Sequence, residues 1–347
     1  MNATPVPADG AECFLSLPDR TAKPRQRGLT HVLDKGLSAA ALEALVETAG
    51  PFIDFVKLGW GTGYVSGGLA AKVTVCRQAG IRLTAGGTLF EAAHRQGRVP
   101  AYARWLQRLG ITDIEVSNGA VTIPPAEKQA LIRSLSADFT VVSEVGSKRP
   151  HDEVVISRWV AEFLGDLDAG AALVIAEGRE IGTVGLYGPG GQVRQRLVDA
   201  ILVDVPADRV IFEAPRREQQ VWFIRRAGSD VNLGNIAPDE VVALETLRLG
   251  LRADTMDLLP EDPRVDSGPP VPDSRAADDV VRRDRAFDEL EPPVLVTVAC
   301  PGCGWERMTM AHDAAGVQRA SRCPHCGTGT RMIRATRVNR PVCACCC

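Results

Sequence analysis

Charged residues recur in this chain where short apolar runs end. Asp34 and Lys35, Lys57, Glu115, Glu144 with Lys148, Glu177 with Arg179, and Glu213 each stand in or just after such a run. A solvated or ion-paired side chain is the plain reading of any one of them, but recurrence on successive runs favours a shared site. Carboxylates aimed at one point repel and raise one another's pKa unless a cation joins them. Glutamates with lysine neighbours therefore suit Mg²⁺ and an anionic substrate. Three glycine turns agree: Gly59-Trp60-Gly61-Thr62-Gly63, Gly86-Gly87-Thr88 and Asn232-Leu233-Gly234-Asn235 leave backbone N–H groups free to approach phosphate or carboxylate oxygens. A second chemistry lies near the C-terminus. Cys300-Pro301-Gly302-Cys303 and Cys323-Pro324-His325-Cys326 form two CxxC pairs with nineteen residues between them, the spacing of a four-thiolate zinc ribbon. The last thiols, Cys343, Cys345, Cys346 and Cys347, suit further metal binding or sulfur chemistry.

The first set of residues needs a scaffold that brings strand ends together. Apolar runs rich in β-formers predict eight strands, at 29–33, 53–58, 81–84, 113–117, 139–144, 172–177, 210–213 and 231–233. Helical periodicity lies between them at 38–49, with Ser38 as N-cap, and at 68–79, 99–109, 125–135, 156–169 and 238–249. Eight alternations predict an α/β chain folded as a (β/α)₈ TIM barrel, with its site built by the βα loops at the C-terminal strand ends. A doubly wound open sheet is the competitor, and no GxGxxG opens the first helix to favour it. His31 reads as a core or lining histidine, and Cys13 and Cys76 as small buried residues.

Composition divides the rest. The 347 residues carry a net charge of −3 and are 45% hydrophobic, an ordinary water-soluble balance. Residues 256–293 hold seven prolines and eleven acidic residues against five arginines, a tether unable to offset its ordering entropy. Residues 294–340 hold seven arginines and two acids, a basic module small enough to need Zn²⁺ to fold. The expected domains are thus a barrel at 1–255, a linker at 256–293, a zinc-ribbon-like module at 294–340 and a Cys-rich tail at 341–347. The ribbon suits a protein partner. With Trp305 its one aromatic residue, it is poorly supplied for nucleic acid. No membrane-spanning apolar stretch and no leader-like N-terminus are read, so a cytoplasmic location is expected.

The barrel residues also resemble a known family, phosphosulfolactate synthase of coenzyme M biosynthesis. The resemblance spans about residues 14–255. It rests on Arg27-Gly28-Leu29-Thr30, Val32-Leu33-Asp34-Lys35-Gly36, Ile53-Asp54-Phe55-Val56-Lys57 with Gly59-Trp60-Gly61-Thr62, and Gly86-Gly87-Thr88-Leu89-Phe90-Glu91. Glu144-Val145-Gly146, Glu177-Gly178-Arg179-Glu180, Ile211-Phe212-Glu213-Ala214-Pro215 with Gln219-Gln220, Val231-Asn232-Leu233, and Leu244-Glu245-Thr246-Leu247-Arg248 continue it. It implies a (β/α)₈ fold, Mg²⁺ dependence and addition of sulfite to phosphoenolpyruvate by a carbon–sulfur lyase; a homo-oligomer is expected. Lys148 matches a family lysine in the role of general acid, with a phosphate clamp as the alternative. Lys57 joins it as a catalytic candidate. Glu144, Glu177 and Glu213 are expected at Mg²⁺ or beside it, and Arg27, Lys35, Arg179, Gly86, Gly87 and Asn232 at the substrate. Asn118, Gly63 and Ser147 depart from the pattern of the relatives, which bears on the sulfur nucleophile more than on phosphoenolpyruvate. Two alternatives stay open: a tail cysteine as the nucleophile, and a non-catalytic scaffold that recruits partners through the ribbon.

Overall fold

The structure, a computed structural model, describes residues 15–148 and 154–260, and as backbone strands alone residues 2–3, 294–299, 306–311 and 331–337. The chain divides into two compact units, Met1–Asp262 and Pro263–Cys347.

In the first unit eight strands form one parallel sheet: β1 Thr30–Asp34, β2 Phe55–Leu58, β3 Arg82–Thr84, β4 Asp113–Val116, β5 Thr140–Val145, β6 Leu173–Ala176, β7 Val210–Glu213 and β8 Leu233–Ile236. Their order is β3-β2-β1-β8-β7-β6-β5-β4. The first strand therefore pairs with the last, which a doubly wound sheet does not allow, and the fold is a (β/α)₈ barrel. The helices α1 Ala39–Ala49, α2 Thr62–Val65, α3 Leu69–Gln78, α4 Gly87–Arg95, α5 Val99–Leu109, α6 Pro125–Leu135, α7 Ile156–Asp168, α8 Gln195–Asp204, α9 Arg217–Ala227 and α10 Val241–Arg248 alternate with the strands. As expected, Ser38 caps α1, its Oγ accepting from Ala41 N at 3.1 Å.

Successive strand residues point to opposite faces, and this sorts the apolar residues into two cores. Val32, Val56, Ile114, Val141, Val174 and Phe212 face outward and pack under the helices; Phe212, for one, stacks on Phe223 of α9 with ring centroids 4.7 Å apart. Leu29, Phe55, Val142, Leu173, Ile175 and Ile211 face inward and form a separate cluster inside the barrel. Each such buried side chain contributes about 1.5–3 kcal/mol. The next inward position along four strands is charged: Phe55 is followed by Lys57, Val142 by Glu144, Ile175 by Glu177 and Ile211 by Glu213. An apolar floor thus carries a charged layer at the C-terminal end.

Between β3 and β4 no ladder pairing closes the ring among the described residues. Side chains bridge the seam instead. Arg82 Nε donates to Asp113 Oδ1 at 2.8 Å, with the guanidinium 4.2 Å from the Phe55 ring centroid, and Ser117 Oγ donates to Glu91 Oε1 at 2.6 Å.

The last strand lies further along than the sequence suggests, at Leu233–Ile236 in place of 231–233. Gly-Asn is turn chemistry, but neighbours on both sides draw these residues into the ladder, Leu233 opposite Phe212 and Ile236 opposite Val32. Likewise Gly87, expected in a turn, opens α4.

The second unit holds a three-stranded antiparallel sheet, β9 Val294–Ala299, β10 Glu306–Ala311 and β11 Arg331–Arg337, with β9 in the middle. The paired cysteines Cys300, Cys303, Cys323 and Cys326, the tail thiols, and most of the acidic tether lie outside the described residues. No helix among the described residues is long and apolar enough to cross a membrane.

Candidate active site

The charged layer surrounds two lysines. Lys57 Nζ, on β2, donates to Glu213 Oε1 at 2.9 Å across the barrel and stands 3.7 Å from Glu115 Oε2 and 3.8 Å from Glu144 Oε2. Lys148, in the loop after β5, bonds Glu144 Oε1 at 2.5 Å and approaches Glu177 Oε2 at 3.3 Å and Glu91 Oε1 at 3.5 Å. Above them opens a cavity of about 360 Å³, lined by residues from all eight strand ends.

Backbone N–H groups hold the carboxylates in place. Gly178 N and Arg179 N both donate to Glu213 Oε2 at 2.9 Å, Arg179 N also donates to Glu177 Oε1 at 2.6 Å, and Gly87 N donates to Glu115 Oε1 at 2.5 Å. Behind β5, buried Lys128 donates to the Glu144 carbonyl at 2.7 Å and stands 2.8 Å from Asp166 Oδ2, anchoring the strand that carries Glu144.

Five glutamates, Glu91, Glu115, Glu144, Glu177 and Glu213, face two lysines, and the excess negative charge shows in their protonation. Burial pushes Glu115 up to about 7, with Lys57 opposing. Burial together with Glu144 and Glu213 holds the Glu177 carboxyl well above the usual range. Glu144 moves the other way: burial raises it, but Lys148 and Lys57 outweigh that and bring it down to about 2. Both lysines lose solvation on burial, yet their carboxylate neighbours keep each ammonium above its ordinary pKa.

Most of the residues singled out in the sequence meet here. Lys57, Lys148, Glu144, Glu177, Glu213, Arg179, Gly86 and Gly87 all line the cavity. Gly86 must be glycine: its φ is +74°, and a Cβ there would stand 2.5 Å from Leu58 O.

Three do not meet there, two of them for a shared reason of strand polarity. Arg27 precedes β1, so it lies at the opposite end of the barrel, its largely exposed side chain 3.4 Å from Asp230 Oδ2. Asn232 precedes β8; its Oδ1 accepts from Leu29 N at 2.9 Å and its Nδ2 donates to Val210 O at 3.0 Å, a structural tie at the N-terminal end. Lys35 follows β1 but is exposed and does not line the cavity. Asn235, three residues beyond Asn232, reaches the cavity instead, as do Trp60 and Glu180. Glu91 joins the ring from α4; its place in the Gly86–Glu91 run, one helical turn after Gly87, was the available signal.

No three His, Cys, Asp or Glu side chains among the described residues converge as a metal site. Two do approach one another: the Glu144 and Glu177 carboxyls share a hydrogen bond. Glu177 Oε2 is buried and otherwise makes no hydrogen bond. A shared proton between adjacent carboxylates stands where a cation can replace it. Mg²⁺ is commonly held by one or two carboxylates, with water and substrate oxygens completing the octahedron. These residues fit Mg²⁺ through Glu144 and Glu177. Glu213 lies beside them, tied to Lys57 and to the N–H groups of Gly178 and Arg179.

Comparison with known proteins agrees with the geometry. Residues 18–254 match the family described as (2R)-phospho-3-sulfolactate synthase (ComA). The chain is 44% identical over 236 residues to the phosphosulfolactate synthase of Methanocaldococcus jannaschii, covering 66% of this chain and 94% of that protein. To the Bacillus subtilis phosphosulfolactate synthase it is 41% identical over 247 residues, covering 70% and 97%. Among solved structures, a 3-hexulose-6-phosphate synthase is similar at a TM-score of 0.44 and 14% identity, covering 63% of this chain and 98% of that one. Over its barrel, the chain belongs to the (2R)-phospho-3-sulfolactate synthase family of enzymes.

Proposed function

We propose that the barrel joins sulfite to carbon 3 of phosphoenolpyruvate, giving phosphosulfolactate. The observation that carries this reading is the placement of two ammonium groups, buried Lys57 and half-buried Lys148, among glutamates at the floor of one cavity. The sulfur lone pair forms the new C–S bond while the C2=C3 π electrons move into the carboxylate, leaving an aci-carboxylate dianion. Lys57 and Lys148 supply positive charge where that dianion develops. Lys148 then gives a proton to carbon 2. Its raised pKa is no obstacle, because the C–H bond formed is a far weaker acid than any ammonium. When bound at Glu144 and Glu177, Mg²⁺ supplies further positive charge to the substrate's carboxylate and phosphate oxygens. Arg179, at the cavity mouth, completes the neutralisation of the phosphate.

The zinc reading of the paired cysteines belongs to the same proposal. In sequence, Cys300 and Cys303 fall between β9 and β10, and Cys323 and Cys326 between β10 and β11. Metal analysis of purified protein should find about one zinc per chain, lost on Cys300→Ser.

The test of function is direct. Purified protein with phosphoenolpyruvate, Mg²⁺ and sulfite should accumulate phosphosulfolactate by mass spectrometry, and none without sulfite. No product from the complete mixture would overturn the reading.

A further inference from the structure

The cavity wall is divided by charge. From β4 to β7 it is built by Glu115, Glu144, Glu177, Glu180 and Glu213 together with Lys148 and Arg179. From β8 through β1 and β2 to β3 it contains no acidic side chain: Asn235, Leu33, Gly59, Trp60, Gly86, Gly87 and Thr88 line it, with Lys57 below. On the first arc, Lys148 and Arg179 suit the phosphate and carboxylate of phosphoenolpyruvate. With phosphoenolpyruvate against those two cations, a second oxyanion has the other arc to settle on.

Asn235 is the unexplained residue of that arc. It lies one residue before the end of β8 at φ +55°, and the three non-glycine residues with positive φ in the described chain, Trp60, Arg179 and Asn235, all line this cavity. Such backbone is held only where its surroundings impose it, and it gathers at functional sites. The Asn235 side chain is also 6% exposed, with Oδ1 buried and without a hydrogen-bond partner. Glycine at this position would bear neither cost. The amide nitrogen likewise makes no hydrogen bond within the described chain. Its two N–H donors are therefore free to meet an oxyanion.

We propose that the sulfur nucleophile, a small sulfite-type oxyanion, docks on the β8–β3 arc against the amide of Asn235, and that this residue selects the nucleophile without contributing to phosphoenolpyruvate binding. The inference rests on the proposed function for its chemistry, but its test includes binding apart from turnover. Titration calorimetry with sodium sulfite should show saturable binding to the wild type, weakened about tenfold or more in Asn235→Ala and Asn235→Gly and further in Asn235→Asp, which adds negative charge to the arc. In steady-state assays the same variants should raise the KM for sulfite by about the same factors and leave the KM for phosphoenolpyruvate within about twofold. Asn235→Gly relieves the backbone but lacks the amide. Wild-type sulfite affinity in that variant, a shift confined to phosphoenolpyruvate, or no sulfite binding by the wild type would each overturn the inference. Saturable, Asn235-dependent sulfite binding without turnover would uphold it while rejecting the proposed reaction.

Discussion

At the N-terminal end of the barrel the described buried arginines lie against carboxylates or backbone carbonyls, whereas at the C-terminal end carboxylates outnumber lysines. Arg20, 3% exposed, meets Asp230 at 2.5 Å and Glu245 at 2.9 Å, Arg25 meets Asp54 at 3.3 Å, and Arg248 donates to the carbonyls of Ser229, Val231 and Leu29. Both ends bury charge, which is costly without partners. The difference lies in completeness. A matched cluster stays in one protonation state and serves as a clasp, here tying residues 20–29 to β8 and α10. The unmatched cluster at the other end can take up protons, a cation or an anionic substrate, because its own groups do not satisfy one another.

Substitutions at the two ends should therefore fail differently. Lys148→Ala should show the largest effect, a loss of about 10³-fold in kcat. Its melting temperature should fall less than that of the N-terminal variant below, since the freed carboxyls beside the open cavity can take up protons. Glu245→Ala should do the reverse. With Arg20 deprived of its two-pronged contact to Glu245, stability should drop by about 3 kcal/mol, roughly 10 °C in a domain of this size, while the KM values of protein still folded stay unchanged. If those two phenotypes were exchanged, the distinction between clasp and reactive cluster would be lost.

Glu115→Gln tests the excess charge itself. Because the folded-state pKa of Glu115 is raised to about 7, its contribution to stability is fully present below its ordinary value and is lost as pH rises through 7. The variant should therefore melt above wild type at pH 8, by on the order of 2 kcal/mol, with the gap narrowing toward pH 5. Scanning calorimetry across this range checks it, and a gap that widens toward low pH would contradict the assignment. Activity should fall in the same variant. The smallest effect is expected at Arg27, which the sequence had suggested as an anion binder. Its exposed pair with Asp230 should be worth under about 0.5 kcal/mol, and Arg27→Ala should leave the KM for phosphoenolpyruvate unaltered. A raised KM would move Arg27 back to the substrate.

Much of this molecule is legible along the chain. A residue two positions beyond an inward apolar one is itself inward, so Ile175 to Glu177 and Ile211 to Glu213 announce a charged layer over an apolar floor before any contact is known. The alternation of strands and helices implies the barrel, and the βα loops imply which end is active. Where a residue stood relative to a strand was harder to see. Val231-Asn232-Leu233 looked like the strand and Gly234-Asn235 like the turn after it. The ladder to β7 and β1 shifted the strand by two to three residues, and that shift put Asn232 at one end of the barrel and Asn235 at the other.

Taken alone, the sequence determined the family, the eight-fold alternation and the identity of the inward glutamates and lysines, because these follow from local periodicity and from runs of neighbouring residues. Only the tertiary structure decided which charges are matched: Lys57 meets Glu213, 156 residues away, and Arg20 meets Glu245, 225 residues away. The protonation of a buried carboxyl depends on such distances and on the loss of water around it, and ring closure sets both.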